Sequence, residues 1–137
     1  MQFYIDTSIW IDLYENRKGF AGEPLGEYAL ELFALIKANN STLAISDLLI
    51  RELEGYYYSD EINGMMKPFE GIIKRITATM EQRKEAKQIA NKRKIPPGDV
   101  LHAILARDHE LLLITRDNDF RKLEDVSAHH KPEEFID

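Results

Sequence analysis

Five carboxylates stand where this chain could do metal chemistry: Asp6, Glu52, Asp99, Asp117 and Asp119. Asp6 follows directly on the apolar run FYI, and Asp117 and Asp119 follow almost directly on LLLIT. Glu52 lies in a helical pattern after TLAIS, with Leu48 and Tyr56 at i−4 and i+4 as an apolar flank that partly buries it. Asp99 falls in the first turn of a helix opened by Pro96-Pro97, where proline is best tolerated, and that helix carries His102, Ala103 and Ala106 on the Asp99 face. Gathered in one pocket, these charges repel unless a cation neutralises them. Mg²⁺ and Mn²⁺ suit carboxylate and water oxygens. A cation so held polarises a phosphoryl oxygen and activates a water, and two ions roughly 3.5–4 Å apart stabilise both the attacking and the leaving oxygen.

Each carboxylate also has a plainer reading. Asp6 caps a helix beginning at Thr7-Ser8, Asp117 caps one carrying Phe120 and Leu123 with Asp119 in its first turn, Asp99 favours a helix N-terminus, and Glu52 is a solvated helix residue. The case for a site rests on four of them falling at matching ends of alternating elements. The histidines add little to it: His129-His130 would face opposite ways in a strand, and His102 and His109 share no ligand spacing, so zinc is not expected.

Those elements follow from hydrophobic periodicity. Gln2–Ile5, 42–45 and 111–114 are short apolar runs of the kind buried on both faces of a parallel sheet, with weaker strands at 76–79 and 126–129. Helical patterns occupy Thr7–Glu15, 24–38, 46–58, 60–75, 80–92, Pro97–Asp108 and 117–123, and 16–23 reads as a loop. Strands alternating with helices predict an α/β fold with a central parallel sheet. In such sheets ligands bind outside the carboxyl ends of the strands, where Asp6, Asp117 and Asp119 fall.

The chain of 137 residues fits one domain, and 44% apolar with 31% charged residues is the composition of a chain with a real core. Without cysteine there is no disulfide framework, thiolate metal site or Cys nucleophile. No basic leader and no apolar run near the roughly 18–20 residues of a membrane span is visible, so a cytoplasmic protein is expected. A formal net charge of −6 argues at first sight against a polyanionic partner. Residues 67–94, however, hold nine basic and three acidic side chains, a local +6, which leaves −12 for the rest. That stretch reads either as a solvated helix face or as a surface for a phosphate backbone. Tyr56-Tyr57-Tyr58 cannot share one helical face, and reads as packing with one ring left open for an interface or a base.

The motifs YIDTSIW, SDLLIREL, PPGDVLHAILA and LLITRDNDF, in this order over nearly the whole chain, resemble those of the PIN-domain nucleases, most closely the VapC-type toxins of prokaryotic toxin–antitoxin pairs. The closing PEEFI is similar to the family's usual ending. The resemblance implies a single PIN domain over 1–137, a three-layer α/β/α architecture, and an Mg²⁺- or Mn²⁺-dependent endoribonuclease that hydrolyses RNA phosphodiester bonds with a metal-activated water. Carried over by position, Asp6, Glu52, Asp99 and Asp117 are its catalytic metal ligands, Asp119 is an assisting ligand, and Ser8 and Thr115 line the pocket. Arg116 is then a phosphate contact or a surface salt-bridge partner, and Lys84, Lys87, Lys92 and Arg93 would hold the RNA backbone. A toxin further implies a homodimer and a small antitoxin lying across the site, with Tyr14, Leu25 and Tyr28 as candidate groove residues.

Two other classes are compatible with the residues. A stand-alone RNA-processing nuclease would share the acidic set, and a non-catalytic binding module would not require it. A phospho-acceptor role for Asp6 would want a second Asp two residues on, where Ser8 stands.

Overall fold

The computed structural model describes residues 1–136. Strand β1 (Gln2–Ile5) leads into helix α1 (Thr7–Glu15), then α2 (Leu25–Ala38), β2 (Thr42–Ser46), α3 (Asp47–Glu54) and α4 (Ser59–Met66). A 3-10 segment, Lys67–Ile72, precedes β3 (Ile73–Ile76), followed by α5 (Met80–Arg93), α6 (Pro97–Asp108), β4 (Leu112–Ile114) and β5 (His129–His130). The five strands pair in parallel in the order β3-β2-β1-β4-β5. Strand order runs outward from β1 in both directions, which makes the β1/β4 boundary the topological switch point where parallel sheets open a crevice.

Both faces of the sheet are buried, as its apolar runs require. Phe3, Ile5, Leu43 and Ile45 point to one face and pack with Trp10, Leu32, Phe33, Leu49 and Leu53 from α1, α2 and α3. Tyr4, Ala44 and Leu113 point to the other, against Ala86 and Ala90 of α5 and Val100, Ala103 and Ile104 of α6. Ring centroids of Trp10 and Phe33 lie 4.6 Å apart, edge to face, at the heart of the first core. Phe135 closes its edge against Phe3 at 5.4 Å.

Helices α1 and α6 have the bounds that periodicity predicts. Several other elements differ. The helix expected at 60–75 ends at Met66, because Pro68 supplies no amide hydrogen and the chain tightens into the 3-10 segment before entering β3. The strand expected at 76–79 therefore lies three residues earlier, where Leu43 pairs with Ile73 and Ser46 with Ile76. Helix α3 stops at Glu54, before Gly55, rather than at Tyr58. The turn after β4 is 3-10 over Asn118–Leu123, and the last strand is His129–His130 rather than 126–129. Its two histidines do face opposite ways, His129 toward Phe120 and His130 toward Phe135.

One close approach fixes the α1/α2 corner. A Cβ added at Gly26 would lie 2.5 Å from Asn16 Cα and 2.8 Å from its carbonyl carbon, so backbone would have to move. Gly26→Ala is expected to destabilise the fold by roughly 1–3 kcal/mol, measured by urea denaturation. No loss would mean that the corner yields freely.

Candidate active site

At the switch point, Asp6 leaves β1 with its backbone N–H donating to Ile114 of β4 at 2.9 Å. The Asp6 carboxylate is then clamped from three directions: Oδ1 accepts from the Thr7 amide at 2.7 Å, and Oδ2 from Thr115 Oγ1 at 2.8 Å and Ser8 Oγ at 3.2 Å. Asp6 is thus both the cap of α1 and a carboxylate held in place, so its two readings are compatible. Thr115 does a second service by accepting from the Asp117 amide, and Asp117 Oδ1 accepts from the Asp119 amide at 2.9 Å.

Glu52 reaches the same place from α3. Its Oε1 accepts from Thr7 Oγ1 and from His102 Nε2 at 2.7 Å. The expected apolar flank is only half right, because Tyr56 lies beyond the end of α3. Burial of Glu52 comes instead from α1 and α6. A Cβ at Gly98 would sit 3.1 Å from Glu52 Oε2, so the first turn of α6 passes close above that carboxylate.

Asp6, Glu52, Asp99 and Asp117 all line one cavity of about 430 Å³, together with Thr7, Ser8, Ile11, Arg17 and Tyr56. An oxygen each of Asp6 and Glu52 lies within 4.8 Å of a nitrogen of His102, which stands behind the cavity, and oxygens of Asp99, Asp117 and Asp119 lie equally close to one another. The tertiary fold brings together all five carboxylates singled out in the sequence. It also adds residues that sequence reasoning missed. Thr7 and Arg17 carried no visible signal. His102 did: it lies three residues after Asp99, on the face that the small Ala103 and Ala106 keep slim.

Electrostatics report the crowding. Burial first, then repulsion from Asp117 and Asp6, pushes Asp99 up to about 7. Burial opposes ionisation of Glu52 too, but hydrogen bonds from His102 and Thr7 outweigh it and hold its carboxyl below the usual range. For His102, burial disfavours the cation, yet the Glu52 hydrogen bond and the Asp6, Glu52 and Asp99 charges raise its pKa overall. Among the described residues, Arg17 is the one cation lining the cavity, and it faces four acids. Hard oxygen donors from four elements, with one carboxyl driven toward neutrality, match the donor set and charge that a divalent metal would satisfy.

Two expected phosphate contacts are engaged elsewhere. Arg116 forms a bidentate pair with Glu133, lies 3.6 Å from Asp12 and stands over the Tyr28 ring, which ties α1 and α2 to the end of the chain. Its salt-bridge reading is the one observed, and Tyr28 is committed with it. Arg93 is bidentate to Asp125 at 2.7 Å and also donates to the Lys122 carbonyl. Lys84, Lys87 and Lys92 are exposed on α5. Lys87 also lines a groove with Arg83, Pro97 and Gly98 that runs beside the first turn of α6. Tyr14 is exposed, edge-on to Tyr57, while Tyr56 is 68% exposed at the cavity rim.

The sequence model of the PIN domain matches residues 3–126, and the chain belongs to that family. No curated protein sequence matches it. Its fold is similar to that of several solved structures. With VapBC2 from Rickettsia felis, bound to a promoter DNA fragment, the TM-score is 0.68 at 16% identity over 96% of this chain and 98% of that one. A toxin–antitoxin complex from Klebsiella pneumoniae gives 0.60 at 18% identity, covering 95% and 97% of the two chains. FitAcB from Neisseria gonorrhoeae gives 0.60 at 18%, covering 97% and 99%. No helix among the described residues is long and apolar enough to cross a membrane.

Proposed function

We propose that this PIN protein is a single-domain, Mg²⁺- or Mn²⁺-dependent endoribonuclease acting in the cytoplasm as the toxin of a toxin–antitoxin pair. The observation that carries the nuclease reading is the convergence of Asp6, Glu52, Asp99 and Asp117 on one cavity at the switch point of the sheet. These four would hold one or two divalent cations, with Asp119 assisting directly or through water. A bound cation supplies Lewis-acid charge for the phosphoryl oxygens and lowers the pKa of a water.

The protein's own groups do the rest. Thr7, Ser8 and Thr115 fix the orientation of Asp6, so that little reorganisation is needed when charge develops at the phosphate. The α1 backbone and the slim face of α6 keep the acids close while leaving the mouth of the cavity open to a strand. Lys84, Lys87 and Lys92 hold the RNA backbone along α5, away from the acidic centre, which would otherwise repel it. The toxin reading is favoured by the likeness in fold to complexes whose own names are those of toxin–antitoxin pairs. A small antitoxin meeting the exposed Tyr14 and the half-buried Leu25, and a homodimer, complete that reading.

The test is cleavage of a single-stranded RNA oligonucleotide by the purified chain. Cutting is expected with Mn²⁺ and should stop when EDTA is added. Cleavage indifferent to chelation, or none with either metal, would refute the assignment. Lys84→Ala with Lys87→Ala is expected to weaken RNA binding across all sequences, and to reduce the slope of log affinity against log salt by about 1 to 2. An unchanged salt slope in a binding titration would place the RNA elsewhere.

A further inference from the structure

A chain of polar side chains runs behind the cavity through an otherwise apolar core. Ser46 Oγ lies 2.6 Å from Tyr4 Oη, Tyr4 Oη lies 2.6 Å from His102 Nδ1, and His102 Nε2 lies 2.7 Å from Glu52 Oε1. Tyr4, Ser46 and His102 are at most 1% exposed, and Tyr4 belongs to the core cluster of Ala44, Val100, Ala103 and Leu113. Such groups are costly to bury unless each finds a partner, and here each does.

The direction of the hydrogen bonds follows from the groups at the ends. Ionised Glu52 can only accept, so His102 Nε2 carries a hydrogen and donates. Nδ1 pairs with the Tyr4 hydroxyl, which pairs in turn with Ser46 Oγ. Burial pushes the Tyr4 phenol far up, so it keeps its proton and remains a donor. Ser46 is itself anchored, since its Oγ accepts from the Leu49 amide at 2.9 Å as the cap of α3. The chain therefore ties β1, β2, α3 and α6 to the orientation of one carboxylate.

From this geometry we infer that His102 is a positioning residue rather than a metal ligand: it pins Glu52 by Oε1 and leaves Oε2 as the oxygen available to a cation. The inference rests on the metal-site reading above. Oε1 already receives two hydrogen bonds, from Thr7 and His102, and no described residue donates to Oε2. Both ring nitrogens of His102 are engaged. Its ring packs against Tyr4 at 5.3 Å between centroids, with no exposed surface through which to swing toward the cavity. Its Nε2 also lies 3.8 Å from Asp6 Oδ1, so coordination of a shared ion would require it to release Glu52.

The experiment is calorimetric Mn²⁺ titration of the intact chain and of His102→Leu, His102→Gln and Tyr4→Phe, with pulsed EPR of the Mn²⁺-loaded wild type. His102→Leu is expected to weaken Mn²⁺ binding by about 10–100-fold, as loss of a partner behind a metal ligand commonly does. His102→Gln, whose amide can donate to Glu52, should regain most of that, and Tyr4→Phe should lie between. The EPR spectrum should contain no coupling from a directly bound imidazole nitrogen. Such a coupling, or unchanged Mn²⁺ affinity in His102→Leu, overturns the proposal. If His102→Leu does not fold, unchanged affinity in Tyr4→Phe overturns it equally. Absence of Mn²⁺ binding by the wild type would instead remove the metal site itself, and this role with it.

Discussion

Asp6→Asn is expected to lower metal-dependent RNA cleavage by about a thousand-fold while leaving the fold intact. The amide is isosteric with the carboxylate, so the side-chain oxygen that accepts from Thr7 is retained. The Thr115 and Ser8 hydroxyls can turn to accept from the new NH₂. What disappears is one negative charge at the point where β1 meets β4, and with it a fixed oxygen for the cation. The measurement is initial rate on an RNA oligonucleotide with Mn²⁺, alongside circular dichroism and a melting curve to establish folding. Cleavage by the folded variant at the wild-type rate would falsify the site assignment. Residual cutting that survives EDTA equally in both proteins belongs to a contaminant and is subtracted.

Asp99→Asn is expected to abolish cleavage comparably, yet to stabilise the metal-free protein. Burial and the Asp117 and Asp6 charges push Asp99 up to about 7 from its ordinary value of 3.8. A carboxyl raised in the folded state binds its proton more tightly there than in the unfolded chain. Stability is therefore fullest below about pH 4 and is lost as pH rises through about 7. At pH 8 the folded protein carries the whole penalty, on the order of 2 kcal/mol once solvent screening of a half-buried group is allowed for. The neutral amide escapes it. In EDTA at pH 8 the variant should melt several degrees above wild type, and by pH 5 the gap should shrink to about a third. With Mn²⁺ in excess the order should invert, because at a hundred times Kd the ion stabilises the wild type by about 2.7 kcal/mol and the variant much less. A variant less stable than wild type in EDTA at pH 8 would mean that the acids do not repel in the way the geometry requires.

The two results together describe a site whose folding and function are opposed. Carboxylates that repel one another are retained where a core would prefer none, which is the expected signature of a pocket organised for a charge that composition cannot count. The same consideration answers the net charge of −6. Four of the acids line one cavity with Asp119 beside them, and exposed lysines of α5 lie outside it. The total says little about partners, and the distribution says a good deal.

Much of the fold was legible because its determinants are local. Alternation of Phe3, Tyr4 and Ile5 between two cores, the Asp6 cap of α1 and the proline opening of α6 are each decided within a few residues. The misreadings share a cause. At 60–75 the apolar spacing is compatible with one long helix, and only pairing with β2, some thirty residues earlier, draws Ile73–Ile76 into the sheet. For Arg116 the salt-bridge reading was available but its partners were not, because Glu133 and Asp12 are remote in sequence and on either side of it.

By itself the sequence determined the α/β class, the motifs shared with PIN domains, and which carboxylates stand at the ends of strands and helices. These depend on side-chain period and on capping, both short-range. The tertiary structure alone decided that Asp6 and Asp117 meet, because the order β3-β2-β1-β4-β5 sets β4 beside β1 across more than a hundred residues of chain. It alone decided, too, that His102 stands behind Glu52 with Tyr4 and Ser46 in line. A hydrogen bond needs its partners placed to within tenths of an ångström, and only the packing of α6 and α3 against the sheet supplies that placement.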